Sequence, residues 1–166
     1  MSTPTDFDIR FSSLEDLSTL QKWFNDPAER DAFPFETDQE TEESLKNWIG
    51  FSKYQSSLTG MLGSEICAVG TLFLMPYRKV AHHCSFYLIV KREVRRQGIG
   101  ASMIRNLLHL AKTRFRLESV HAEIYEPSPL IPLLVKQGFH LYARQDDFIQ
   151  INGKSCARSL VEHFFA

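Results

Sequence analysis

Four cationic side chains, Lys91, Arg92, Arg95 and Arg96, precede two closely spaced glycines, Gly98 and Gly100, in the stretch VKREVRRQGIGASMIRNLLHLAK at positions 90–112. An amphipathic run follows at once. A helix start leaves backbone N–H groups unpaired, and those groups together with the positive end of the helix dipole favour an anion. Glycine, having no Cβ, lets phosphate oxygens approach the main chain, while the neighbouring cations add charge. Phosphate binding is the chemistry these residue types suggest. The same residues also suit a plain strand-to-helix turn, with glycine for its dihedrals and arginine for solubility. Two further polar groups stand nearby in sequence. His82, His83 and Ser85 open an apolar run, and His121, Glu123 and Tyr125 alternate within HAEIY, so that they share one face of a strand.

These residues need a frame to position them. SFYLIV (85–90) reads as a buried strand that feeds through KREVRRQ into GIG and a helix, which carries Ile99, Met103, Leu107, Leu108, Ala111 and Phe115 on one stripe. Upstream, FDIRFSS alternates as a strand. SLEDLSTLQKWFND spaces Leu14, Leu17, Leu20 and Phe24 as a helix, with Ser12 or Ser13 as its N-cap and Pro27 past its end. Thr37 and Glu40 have capping-box spacing before a second helix. From about residue 54 the texture changes to Ile, Val, Phe, Leu and Tyr broken by glycines, which predicts two or three antiparallel strands. SVHAEIY reads as a strand and PSPLIPLLVKQ as a short helix opened by prolines. The remainder forms two strands around the turn-prone pair Asn152-Gly153.

Composition bounds the rest. A chain of 166 residues with 43% hydrophobic content supports one core, so a single domain over 1–166 is expected. The formal net charge of -1 argues against affinity for nucleic acid across the whole chain, and any positive site must be local. Neither a signal-peptide pattern at the N-terminus nor an apolar run of roughly 18 residues is seen, so a cytoplasmic protein is expected, with no membrane partner. Cys67, Cys84 and Cys156 are scattered without a CxxC pair, which predicts neither a disulfide framework nor a metal site. A Walker A loop would need Gly-Lys-Ser/Thr where this chain has Gly100-Ala101-Ser102. The dinucleotide fingerprint would need a third glycine where Met103 stands.

The run Arg95-Arg96-Gln97-Gly98-Ile99-Gly100 resembles the Arg/Gln-x-x-Gly-x-Gly/Ala pyrophosphate loop of the GCN5-related N-acetyltransferase (GNAT) superfamily. FYLIVKREV is similar to the fourth strand of that family, and LLVKQGF at 133–139 to its LYxKxGF segment after the fifth strand. IRFSSLEDLSTLQKWFNDP resembles the first strand and helix of RimJ/RimL-like members, so the likeness extends over nearly the whole chain.

The resemblance implies an α/β fold (α+β), a mixed and mostly antiparallel sheet with helices on both faces, whose fourth and fifth strands splay apart around acetyl-CoA. It places the pyrophosphate on Arg95, Arg96, Gln97, Gly98, Ile99, Gly100 and Ala101, and the pantetheine along the backbone of Leu88, Ile89 and Val90. Exposed strand-edge amides can bind an amide-rich ligand, and one can polarise a thioester carbonyl as charge develops on its oxygen. The implied reaction is acetyl transfer to a primary amine: a protein N-terminus, a polyamine or another small amine. It needs a base to deprotonate the amine and permits an acid at the departing thiolate. The family's usual tyrosine acid is Leu134 here, its asparagine seven residues earlier is Pro127, its frequent strand-four glutamate is Ser85, and the serine of RimL-like members is Leu130. Substitutes are His83 as base, because histidine titrates near neutral pH, and Tyr125 as acid, with Ser85 at the position of the family's glutamate and Ser128 as further alternatives. Those departures also leave open a CoA-binding module with weakened catalysis. A binder of nucleic acid or another anionic partner through KREVRR is less in keeping with the overall acidity.

Residues 31–45, DAFPFETDQETEESL, carry six carboxylates and no Lys or Arg. They would attract an amine, and equally they would complement the first turn of a helix. Phe33, Phe35, Trp23 and Trp48 are candidates for an acceptor pocket or for core. Monomer and homodimer are both compatible with the sequence.

Overall fold

The structure, a computed structural model, describes residues 2–166. Its strands are β1 (Phe7–Phe11), β2 (Ser57–Leu62), β3 (Glu65–Leu74), β4 (His83–Val90), β5 (Ser119–Tyr125), β6 (His140–Ile151) and β7 (Lys154–Phe164). They form one sheet in the order β1-β2-β3-β4-β5-β7-β6. Neighbours are antiparallel except β4 and β5, which run parallel. The helices are α1 (Leu17–Phe24), α2 (Pro27–Arg30), α3 (Asp38–Gly50), α4 (Ile99–Thr113) and α5 (Leu130–Lys136).

Alternation along the central strands sends side chains into two cores. Cys84, Phe86 and Leu88 of β4 pack with Ile99, Met103, Ile104 and Leu107 of α4 and with Leu134 of α5. On the opposite face, Val69 and Ile89 pack with Leu20 and Phe24 of α1 and with Leu45, Trp48 and Ile49 of α3. Helices therefore cover both faces, as the sequence suggests. Fully buried side chains such as Trp48 and Phe24 each contribute roughly 1.5–3 kcal/mol of hydrophobic stabilisation relative to exposure. A polar knot pins the first helical segment. Asp16, buried at the end of a 3-10 turn, accepts from Arg10 at 2.8 and 2.9 Å, from Thr59 at 2.8 Å and from the Ser13 amide at 3.0 Å.

Two local signals act as read, whereas Ser13 is the N-cap of the 3-10 turn Leu14–Asp16 and Asp16 stands at the N-cap of α1. The Thr37 hydroxyl accepts from the Glu40 amide at 3.2 Å, and the Glu40 carboxylate accepts from the Thr37 amide at 3.1 Å, closing the capping box of α3. Asn152 (φ 51°) and Gly153 (φ 75°) make the β6–β7 turn with both central residues left-handed, the geometry that matches strand twist in a tight hairpin. Pro27 differs from expectation. It does follow α1, but it also opens α2, because Asp26 caps that short helix by accepting from Ala28 N at 3.0 Å and proline is suited to a first helical position.

The feature that makes a site is the β4–β5 pair. Only His83, Cys84 and Ser85 pair with β5, opposite Ser119, Val120 and His121. Beyond Ser85 the two strands diverge. β4 stays in register with β3 as far as Val90, and β5 stays in register with β7 as far as Tyr125. The sheet therefore opens along its middle while both outer halves remain intact.

Candidate active site

The opening holds a narrow recess, continuous with solvent, lined by Phe86, Tyr87 and Leu88 of β4, Ile124 of β5, Ser128 and Leu130 at the start of α5, and Ala32 and Phe33 before α3. Its β4 wall has free backbone. Lys91 N donates to Cys67 O of the neighbouring strand at 2.8 Å. By the two-residue alternation of an antiparallel ladder, Ile89 and Tyr87 also turn their amides toward β3. Phe86 turns its amide to His121 O, the last bond of the parallel ladder, so Leu88 and Val90 are the residues that turn theirs toward the opening. Of the three residues expected to carry the pantetheine, Leu88 and Val90 face it, while Ile89 lends its backbone to β3 and its side chain to the α1–α3 core.

At the far end of β4 the chain passes through a 3-10 turn at Arg92–Val94 into the glycine loop. Gly98, with φ 79°, is the N-cap of α4 in the left-handed region, where a Cβ would be strained. Gly100 has helical backbone, and a Cβ there would meet only the side-chain ends of Leu133 at 3.1 Å and Val90 at 3.8 Å. Ser102 N makes the first intrahelical bond, to Gly98 O at 3.1 Å. The amides of Ile99, Gly100 and Ala101 therefore have no intrahelical acceptor and lie at the positive end of a 15-residue helix.

The cations around this loop are partly engaged. Arg95 donates through Nε to Val90 O at 2.8 Å and through Nη2 to Glu29 at 2.6 Å. Arg92 reaches Glu29 at 2.9 Å and Asp26 at 3.2 Å, and Lys91 lies 3.5 Å from Glu65. Arg96 adopts φ 67° beside Gln97 within the loop.

The catalytic candidates share the sheet face that bears α1 and α3. His83 Nδ1 lies 3.1 Å from His121 Nε2, at the closed end of the β4–β5 pair. Burial and the neighbouring His83 push His121 below the usual histidine range, against the pull of Glu162. Ser85 occupies the last paired position, opposite His121. Tyr125 is buried at the end of β5; burial first, and the adjacent Glu123 carboxylate next, hold its hydroxyl well above the usual tyrosine range. Arg158 of β7 binds Glu123 at 2.8 Å. His83, Ser85 and Tyr125 do not line the recess itself, whereas Ser128 does, its Oγ accepting from Leu130 N at 3.2 Å.

Sequence reading passed over Tyr87, which does line the recess. It stands two residues after Ser85, so strand alternation alone puts both on one face. Its ring packs edge-on against Phe33 (5.1 Å) and Trp48 (5.2 Å), and burial followed by Glu123 pushes its hydroxyl up. Phe35 and Trp48 belong to the core, and Phe33 serves both core and recess. Three carboxylates of 31–45 work locally, Asp38 pairing with Arg30 at 2.8 Å, Glu40 closing the α3 cap and Glu42 pairing with Lys46 at 2.7 Å, while Asp31 accepts from Asn152 of the β6–β7 turn at 3.3 Å. Leu134 is fully buried and carries no polar group to the site. Among the described residues no cluster of three or more His, Cys, Asp or Glu is arranged to hold a metal ion, and no helix is long and apolar enough to cross a membrane.

Comparison with known proteins bears on this arrangement. The family described as the acetyltransferase (GNAT) family matches residues 17–139. No curated protein matches the chain. Among solved structures, yncA of Salmonella typhimurium with its cofactor acetyl-CoA superposes with a TM-score of 0.84 at 14% identity, over 98% of this chain and 95% of that one. A ribosomal-protein-alanine N-acetyltransferase from Brucella melitensis gives a TM-score of 0.80 at 19% identity, over 95% and 99%. A ribosomal-protein-S5-alanine acetyltransferase from Vibrio fischeri gives 0.77 at 13%, over 97% and 94%. At these identities the structural likeness establishes the fold.

Proposed function

The chain belongs to the acetyltransferase (GNAT) family, and from that premise we propose that it transfers the acetyl group of acetyl-CoA to a primary amine within the β4–β5 opening. The observation that carries this reading is a coincidence of two features. The free edge of β4 leads through one short loop to a helix N-terminus whose first amides have no intrahelical acceptor. An amide-rich arm and a pyrophosphate are joined in the same order in CoA.

The residues present fit that ligand. The Ile99, Gly100 and Ala101 amides would take the pyrophosphate, and the outward amides of Leu88 and Val90 would take the pantetheine as an added strand. When bound, acetyl-CoA supplies a thioester carbonyl open to attack. An outward β4 amide is placed to donate to its oxygen as negative charge builds there. The acceptor amine approaches from the α1–α3 side, past Phe33 and Tyr87, and must be uncharged to attack. His121, held neutral, and its partner His83 are the proton acceptors on that face. Tyr125, whose hydroxyl stays protonated throughout the neutral range, is the donor suited to the departing thiolate. Leu134 cannot take that part.

The lining of the recess, apolar and aromatic with one serine, favours an acceptor that presents a slender amine, such as a protein N-terminus or a short alkylamine. The test is thiol release from acetyl-CoA, from pH 6 to 9, with a panel of N-terminal peptides, polyamines and small amines. Amine-dependent release matched by acetylated product supports the reading. A folded protein that binds acetyl-CoA yet acetylates no member of the panel would instead favour a CoA-binding module.

A further inference from the structure

Glu29 lies on α2, only 10% exposed, and both its oxygens are committed: Oε1 to Arg92 at 2.9 Å and Oε2 to Arg95 at 2.6 Å. Asp26, the cap of the same helix, adds a contact of 3.2 Å to Arg92. Arg95 simultaneously donates to Val90 O, the last residue of β4, at 2.8 Å. A guanidinium has five donors, so Arg95 has N–H groups left for a phosphate while it keeps Glu29. This clasp joins α2 to the loop that receives the pyrophosphate, across more than sixty positions of sequence.

The segment on the acceptor side is laced within itself. Arg30 donates to Phe24 O at 3.0 Å, to Glu36 O at 2.7 Å and to Asp38 at 2.8 Å, so that residues 24–38 are tied at both ends. Inside that span lie Ala32 and Phe33, which form one wall of the recess. A displacement of Glu29 would therefore be carried to Phe33 and to the Tyr87 ring against it.

We infer that Glu29 is a positioning residue that couples the cofactor loop to the acceptor wall, holding Ala32 and Phe33 in place through Arg92 and Arg95 so that CoA in the loop steadies the acceptor side. This rests on the reading of the glycine loop as a CoA site. Phosphate charge beside Arg92 and Arg95 fixes the two guanidinium groups, and the guanidinium groups in turn fix Glu29. Arginine and carboxylate are matched in geometry, so the fixed group on one side orders the other. Glu29→Gln keeps the size of the side chain and removes the charge that makes the link.

The experiment is hydrogen exchange of residues 26–37, with and without saturating CoA, on wild type, Glu29→Gln and Arg92→Gln, with CoA affinity measured on the same samples. The exchange of a locally opening segment reports its own opening equilibrium. In wild type CoA slows exchange at 26–37 by about threefold or more. In Glu29→Gln the segment exchanges faster, CoA still binds through the loop amides, and the CoA-dependent slowing is lost. A residue with a merely structural part would raise exchange equally with and without CoA. Arg92→Gln, which breaks half of the clasp at an exposed residue, reduces the slowing and serves if Glu29→Gln does not fold. Equal slowing in wild type and both variants, or no slowing in a wild type that binds CoA, overturns the coupling. A folded wild type that binds no CoA overturns the loop reading itself, and the coupling with it.

Discussion

Replacing Gly100 by Asp separates binding from folding, because the two effects have opposite signs at this position. Gly100 is the second residue of α4 and has helical backbone, so a carboxylate there complements the helix dipole and the side chain gains helix propensity over glycine. Its Cβ would meet only flexible side-chain ends, Leu133 at 3.1 Å and Val90 at 3.8 Å. Stability should therefore change little. Binding should not survive as well. A pyrophosphate on the α4 amides carries two negative charges at about 5 Å from the new carboxylate; at water's dielectric their repulsion is about 1.7 kcal/mol, and larger where the effective dielectric is lower. That corresponds to a loss of CoA affinity of at least about 15-fold. Gly100→Asn, of the same shape without the charge, and Gly100→Ala isolate the steric part. Calorimetric titration of CoA at low salt, paired with thermal melts, reads both quantities. If Gly100→Asp binds CoA within about threefold of Gly100→Asn, the pyrophosphate does not sit at this helix start and the reasoning fails.

Tyr125→Phe removes the proposed proton donor; turnover should fall about a hundredfold or more, with acetyl-CoA affinity kept, and unchanged turnover would assign the donor elsewhere. His121 gives a pH signature in stability. Its folded pKa is depressed below the ordinary 6.5, first by burial and then by His83. The unfolded chain therefore binds the proton more readily, and the stabilising contribution is full above 6.5 and declines as pH falls through the folded value. Melts between pH 7.5 and 5 should show a decline on acidification that is smaller in His121→Gln; identical profiles would remove His121 as its source. Leu134→Tyr forces a larger, polar side chain into a fully buried site. It should cost about 1–3 kcal/mol without raising turnover, and a faster enzyme would show that the position reaches the reaction.

The legible parts of the sequence were those encoded locally. Thr37 and Glu40 mark their capping box within four residues, Gly98 marks the left-handed start of α4, and Asn152-Gly153 marks the hairpin turn. Each signal needs only its neighbours. The backbone of the glycine loop was legible for the same reason, since a turn into a helix start places its demands on one short stretch of chain. What could not be read was set by contacts far apart in sequence. β7 inserts between β5 and β6, a strand order that no local periodicity specifies. The clasp of Glu29 on Arg92 and Arg95 shows the limit more sharply, because clustered arginines call for a counter-charge without saying where along the chain it lies. Arg158 beside Glu123 is similar. Tyr87 was different: alternation from Ser85 already placed it on the acceptor face, and only its identity as recess lining required the structure.

We propose that acetyl-CoA is received in the gap between β4 and β5, closed at one end by Ser85 and leading at the other to the α4 N-terminus. Isothermal titration of acetyl-CoA into the wild-type protein tests it most directly. Saturable binding at one site per chain, weakened in Gly100→Asp but retained in Gly100→Ala, is the expected result. A folded wild type that takes up no acetyl-CoA would contradict the claim.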